Sequence, residues 1–77
     1  MKFNIEYTDT FSGEPNYSWV ERATIAAPDS ITDTALMRRA KAAVGLTGAR
    51  GRRMDLGDTI EFRPYGMCTV LFISPVE

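Results

Sequence analysis

Histidine is missing altogether from these 77 residues, cysteine occurs once, and neither sign of charge dominates. Without an imidazole there is no Ser–His or Cys–His nucleophilic pair, no common zinc-ligand set and no general base of the most frequent kind. A lone Cys68 makes no internal disulfide, and its place inside the apolar run Met67–Ile73 reads as a buried thiol in a reducing compartment. That run is also far short of the ~20 apolar residues of a membrane-spanning helix. No secretory leader is expected, because Lys2 is followed by alternating rather than continuous apolar residues.

What remains is ordinary globular material, 44% hydrophobic and 25% charged, with too much apolar content for a disordered tail. The length suits one domain over residues 1–77. A chain this small buries only about 60% of its unfolded surface, so function is expected on the outside rather than in a deep pocket. The formal net charge of −1 hides an uneven layout. Residues 1–33 carry Lys2 and Arg22 against six acids, and residues 55–77 carry Arg63 against four. Between them Arg38, Arg39, Lys41, Arg50, Arg52 and Arg53 stand with no acid at all. If the flanks form a sheet and the middle a helix and loop, the folded surface is electrostatically two-sided.

Lys2–Thr8 alternates, placing Phe3, Ile5 and Tyr7 on one face of a strand. Asp9–Asn16 combines Gly, Pro, Asn, Asp and Ser and reads as a hairpin loop. Tyr17–Ala27 is a second strand, with Trp19 and Val20 breaking alternation in a way that permits a bulge. Ser30 with Asp33 three residues on has the form of a capping box, and Ile31, Leu36, Ala40 and Val44 mark the apolar stripe of a helix. That helix is expected to end with Gly45 at C′ and Leu46 folded back at C″. Thr47–Gly57, with three glycines and three arginines, reads as a mobile basic loop. Asp58–Arg63 and Met67–Ser74, joined at Pro64-Tyr65-Gly66, are the last strands. The expected fold is α+β: a four-stranded antiparallel sheet with one helix packed on it, in the order ββαββ. The helix stripe is expected against Ile60, Phe62, Val70 or Phe72.

Three segments carry a resemblance: Tyr7-Thr8-Asp9-Thr10 with Asn16-Tyr17-Ser18-Trp19-Val20, Leu36 through Gly51, and Gly57 through Arg63. They resemble a group of small proteins encoded by bacteriophages and mobile elements, and the likeness covers most of the chain. Compact proteins of this kind include inhibitors of host defence, anti-CRISPR proteins among them. The resemblance implies action in the cytoplasm of a bacterial host cell, against a host protein complex such as a CRISPR–Cas effector. Such relatives have a longer segment before the helix than the short Pro28-Asp29-Ser30 connection of this chain.

The residues themselves offer one candidate surface. Arg38, Arg39, Lys41, Arg50, Arg52 and Arg53 are expected to grip a partner, since arginine's planar fork matches carboxylate and phosphate and glycine lets the backbone approach. The bland alternative is a solvated loop pairing with Asp55 and Asp58. The glycines follow a helix and lack a Lys-Ser/Thr, so this is no Walker motif. Phe11, an aromatic in a polar loop, is the candidate hydrophobic contact. Tyr17, Trp19, Phe11 and Tyr65 as a base-stacking platform stand against core packing as the default. Asp55, Asp58 and Glu61 read as turn and strand charges rather than a metal or acid–base pair. The expectation is a non-enzymatic binding protein with no cofactor or metal, whose partner is a host protein assembly. The alternative is a small nucleic-acid-binding regulator, and a homodimer through an exposed strand edge is open.

Overall fold

The computed structural model describes residues 1–76. The alternating amino-terminal segment forms β1 (Lys2–Phe11), which turns through Ser12 and Gly13, both left-handed, into β2 (Glu14–Ala26). Two successive residues of positive φ match the right-handed twist of the flanking strands. The expected eight-residue loop is therefore a two-residue turn. After α1 (Asp33–Ala43) come β3 (Gly51–Leu56), β4 (Thr59–Pro64) and β5 (Thr69–Pro75). All strand pairs are antiparallel, and their order across the sheet is β2-β1-β5-β4-β3.

The four-stranded expectation is thus corrected to a five-stranded sheet, because the segment read as a mobile basic loop contains β3. It pairs with β4 from Gly51 opposite Pro64 to Leu56 opposite Thr59, closed by a two-residue turn at Gly57-Asp58. Five of its six residues are exposed, so it has no apolar periodicity to announce it. It is an edge strand held by backbone pairing.

The helix is capped two residues later than expected, at Thr32 instead of Ser30. Thr32 is the N-cap, its hydroxyl accepting from the Ala35 amide at 3.2 Å, and Ile31 lies outside the helix, half-buried. The other end follows its sequence signals. Gly45 takes φ 78°, and the Leu46 amide reaches back to the Lys41 carbonyl at 2.8 Å, which buries Leu46 over the last turn.

One face of the sheet packs on α1. Ile5 and Tyr7 of β1, Ile60 and Phe62 of β4, and Leu71 and Ile73 of β5 meet Leu36, Met37, Ala40 and Val44. The expected partners Ile60 and Phe62 are there, but Val70 and Phe72 are not. Register decides this, since Phe62 stands opposite Leu71 and Ile60 opposite Ile73, and successive side chains point to opposite faces. Val70 and Phe72 belong to the helix-free face. Cys68 is likewise exposed rather than buried, because β5 begins only at Thr69 and the thiol sits in the preceding turn.

The hairpin arm is shaped by Asp9. Between the pairs Thr8↔Val20 and Thr10↔Pro15 the four residues Asn16–Trp19 stand opposite Asp9 alone, with Tyr17 at φ 55°. The Asp9 carboxylate accepts from the Ser18 hydroxyl, the Ser18 amide at 2.9 Å and Asn16 Nδ2 at 3.0 Å. These donors, the Ser18 hydroxyl foremost and then Asn16, hold its pKa down to about 2 from the ordinary 3.8. The folded pKa is the lower one, so the bulge's stabilisation is fully present above pH 3.8 and is lost as pH falls through about 2. The Ser18 amide resonance is expected to titrate with a midpoint near 2, and Asp9→Asn to abolish that transition. A midpoint near 4 would contradict this bonding.

Candidate functional site

The seven residues singled out from the sequence do not form one patch. Arg38, Lys41 and Arg53 line a shallow hollow between α1, the Thr47-Gly48 turn and β3, with Met37 at its floor. Two of these bases are already engaged. Lys41 Nζ donates to the Ala49 carbonyl at 3.0 Å and lies 5.0 Å from the centre of the Phe62 ring, tying the loop to the core. Arg53 lies 3.6 Å from Asp55 and 3.9 Å from Asp33. Arg39 lies on another flank of α1 and donates to the Ala26 carbonyl at 3.0 Å, covering the end of the β2 edge. Arg52 neighbours Arg53 along β3 and therefore points to the opposite, helix-free face.

Arg50 and Phe11 are brought to a different place. β1 ends at Phe11, β4 ends at Pro64, β5 starts at Thr69 and β3 starts at Gly51, all at one end of the sheet. Three contacts stitch that end together. The Thr10 amide donates to the Cys68 carbonyl at 2.8 Å, and the Tyr65 amide donates to the Arg50 carbonyl at 2.9 Å. Arg63 Nη1 donates to the Gly13 carbonyl at 2.7 Å, reaching across β5 to the tip of the first hairpin. The result is an end surface on which Phe11 is 72% exposed, Tyr65 71% and Met67 48%, with exposed Arg50 beside them.

Aromatic residues, Met and Arg are the types enriched where proteins bind proteins, and large apolar side chains clustered outside the core are the informative departure from normal burial. Met67 was missed by sequence reasoning, which placed it at the start of an apolar strand. The Pro64-Tyr65-Gly66 turn signal was legible, but the turn extends through Cys68 before the strand begins.

Two further aromatics flank this end. Trp19 packs edge-on to Tyr7 with ring centres 5.2 Å apart, and the Tyr7 hydroxyl donates to Thr69 at 2.9 Å. Tyr17 donates its hydroxyl to Glu6 at 2.6 Å on the helix-free face, and that bond to a carboxylate raises the phenol's pKa. Both remain partly exposed, but each is oriented by an internal partner, the Tyr7 ring for Trp19 and the Glu6 carboxylate for Tyr17.

At the opposite end of the strands Asp29, Asp33, Asp55 and Asp58 surround one hollow, with the Met1 ammonium 3.2 Å from Asp29. These four aspartates gather at the end of the sheet away from Phe11, but Asp9 and Glu14 stand at the Phe11 end, and Arg39 and Arg53 reach toward the aspartates, so the charges are interspersed. No helix among the described residues is long and apolar enough to cross a membrane. Comparison with protein-family models, curated proteins and solved structures finds no match to this chain.

Proposed function

We propose that this chain is a non-enzymatic binding protein that occupies a surface of a host protein assembly, using the end of the sheet that carries Phe11, Arg50, Tyr65 and Met67. The observation that carries the reading is the exposure of these four side chains at one end, supplied by turns whose backbones are hydrogen-bonded to one another. A rigid turn presenting aromatic side chains loses little conformational entropy when a partner covers it. The segments that resemble phage proteins extend the proposal to a phage-encoded inhibitor acting in the bacterial cytoplasm, with a defence complex of the CRISPR–Cas kind as its target.

A nucleic-acid partner is less well supported. A phosphate-tracking surface needs a continuous run of free bases, whereas Arg53 is paired with two aspartates, Arg39 and Lys41 bond carbonyls, and Arg52 faces the other side. The test is capture of partners from a bacterial host by the tagged chain, with nuclease treatment, set beside the Phe11→Ala/Tyr65→Ala double variant. Nuclease-resistant retention of a protein complex is expected, weakened by about 30-fold or more in the double variant, as for two interface anchors. Retention abolished by nuclease, with oligonucleotide affinity falling steeply as salt rises, would replace this reading with the nucleic-acid one.

A further inference from the structure

The two edges of the sheet are not equivalent. On β2, Met1 and Ala27 exchange backbone hydrogen bonds, so by antiparallel alternation Ala26 turns its backbone outward, and Arg39 covers that carbonyl. Pro15 and the Asn16–Trp19 bulge interrupt the far end of the same edge, which leaves Arg22 and Thr24, between them and Ala26, facing outward. On β3 the two-residue turn makes Leu56↔Thr59 a hydrogen-bonded pair, so Met54 and Arg52 also bond inward to β4. Gly51, Arg53 and Asp55 turn their amides and carbonyls outward. Pro64, which has no amide hydrogen, stands opposite Gly51, as this alternation requires. Among the described residues no side chain bonds these outward groups.

We propose that this bare edge pairs with the same edge of a second copy, forming a symmetric antiparallel dimer whose sheet runs continuously through both chains. The side chains select one register. Centring the two-fold on residue 52, 53 or 55 sets Arg52, Arg53 or Asp55 against its own copy, like charge on like. Centring it on Met54 sets Arg53 opposite the second copy's Asp55, twice over. On the helix-free face the same register sets Met54 against Met54 and Arg52 beside Leu56. Met54 and Leu56 are exposed in the single chain, and Arg53 and Asp55 are 3.6 Å apart within it, so the ion pair is re-formed across the edge. Both helices then lie on the same side of the joined sheet, and the Phe11 and Tyr65 ends remain free.

Sedimentation equilibrium of the purified chain from micromolar to millimolar concentration is expected to show a species of twice the 8.6 kDa chain mass. Arg53→Asp and Asp55→Arg are each expected to weaken association by about ten-fold or more, since each sets like charges opposite. An equimolar mixture of those two variants restores both ion pairs, and native mass spectrometry is expected to show their heterodimer. Asp55→Pro removes an outward amide and the carboxylate that faces Arg53 but no backbone bond to β4, so its far-UV spectrum, and its melting at concentrations where the parent is monomeric, should stay close to the parent's while its dimer is lost. A monomer at all concentrations, an Asp55→Pro protein that still dimerises, or a mixture that forms no heterodimer would overturn the proposal.

Discussion

Leu71→Ala is expected to be the most destabilising single truncation, at about 2–5 kcal/mol. Leu71 is fully buried in the central strand, with Tyr7 opposite it on β1, Phe62 opposite it on β4 and α1 over it. Cutting it to alanine leaves a void that backbone ladders on both sides hold open. A domain of this size has roughly 4–12 kcal/mol of stability in total. The melting temperature should therefore drop by about 10 °C or more, as read by circular dichroism. Phe72→Ala is the control: its ring lies half-buried on the face α1 does not cover, and the loss should be clearly smaller. If Phe72 proved the more damaging site, β5 would have to face the helix with its other side.

The second large effect is expected at Gly51, which opens β3. A Cβ there would lie 2.2 Å from the Arg63 carbonyl oxygen and 2.8 Å from the end of the Phe62 ring. The first of these neighbours is backbone of the partner strand, so relief requires β3 to swing away from β4. Gly51→Ala should cost about 1–3 kcal/mol, the range for forcing extra volume into a packed site. Amide exchange would show where the strain goes, with protection lost first at Arg52 and Met54, whose amides face β4. Gly48→Ala, by contrast, meets no neighbouring atom, and only its left-handed backbone resists the substitution. Equal unfolding midpoints for Gly51→Ala and the parent in urea would contradict the close approach.

What could be read in advance follows from how each element gains its stability. α1 and the strands β1, β4 and β5 bury one face, and burying a face writes a period into the sequence. Phe3, Ile5 and Tyr7 alternate, as do Ile60 and Phe62, while Leu36, Ala40 and Val44 recur at helical spacing. β3 buries almost nothing, so Arg52, Arg53 and Asp55 looked like loop. Its real signal was the Gly57-Asp58 turn, which fits a hairpin as well as a loop end. In β5 every residue from Val70 to Ile73 is apolar, and such a run gives no parity. Its facing was fixed only by pairing with β1 and β4. The basic cluster was visible as composition, but its dispersal over four places depends on side-chain direction along β3 and around α1. Asp9 and Asn16 read as loop residues and Ser18 as part of a strand, and the structure gives the three one local task, the building of the bulge.

The strand order also dictates how the chain assembles in time. The hairpin of β1 and β2 is local in sequence, and so is the meander of β3, β4 and β5. Within the sheet they are joined by the ladder between β1 and β5, and a contact across it, such as Tyr7 to Thr69, spans 62 positions. Hairpins close in about 1–10 μs, whereas bringing together ends so far apart costs loop entropy before any contact offsets it. The central seam of the finished sheet is therefore the last to close. Until it does, β5 is an open edge with its apolar stretch Val70–Ile73 uncovered, and a crowded population of half-folded chains is most prone to mispair there.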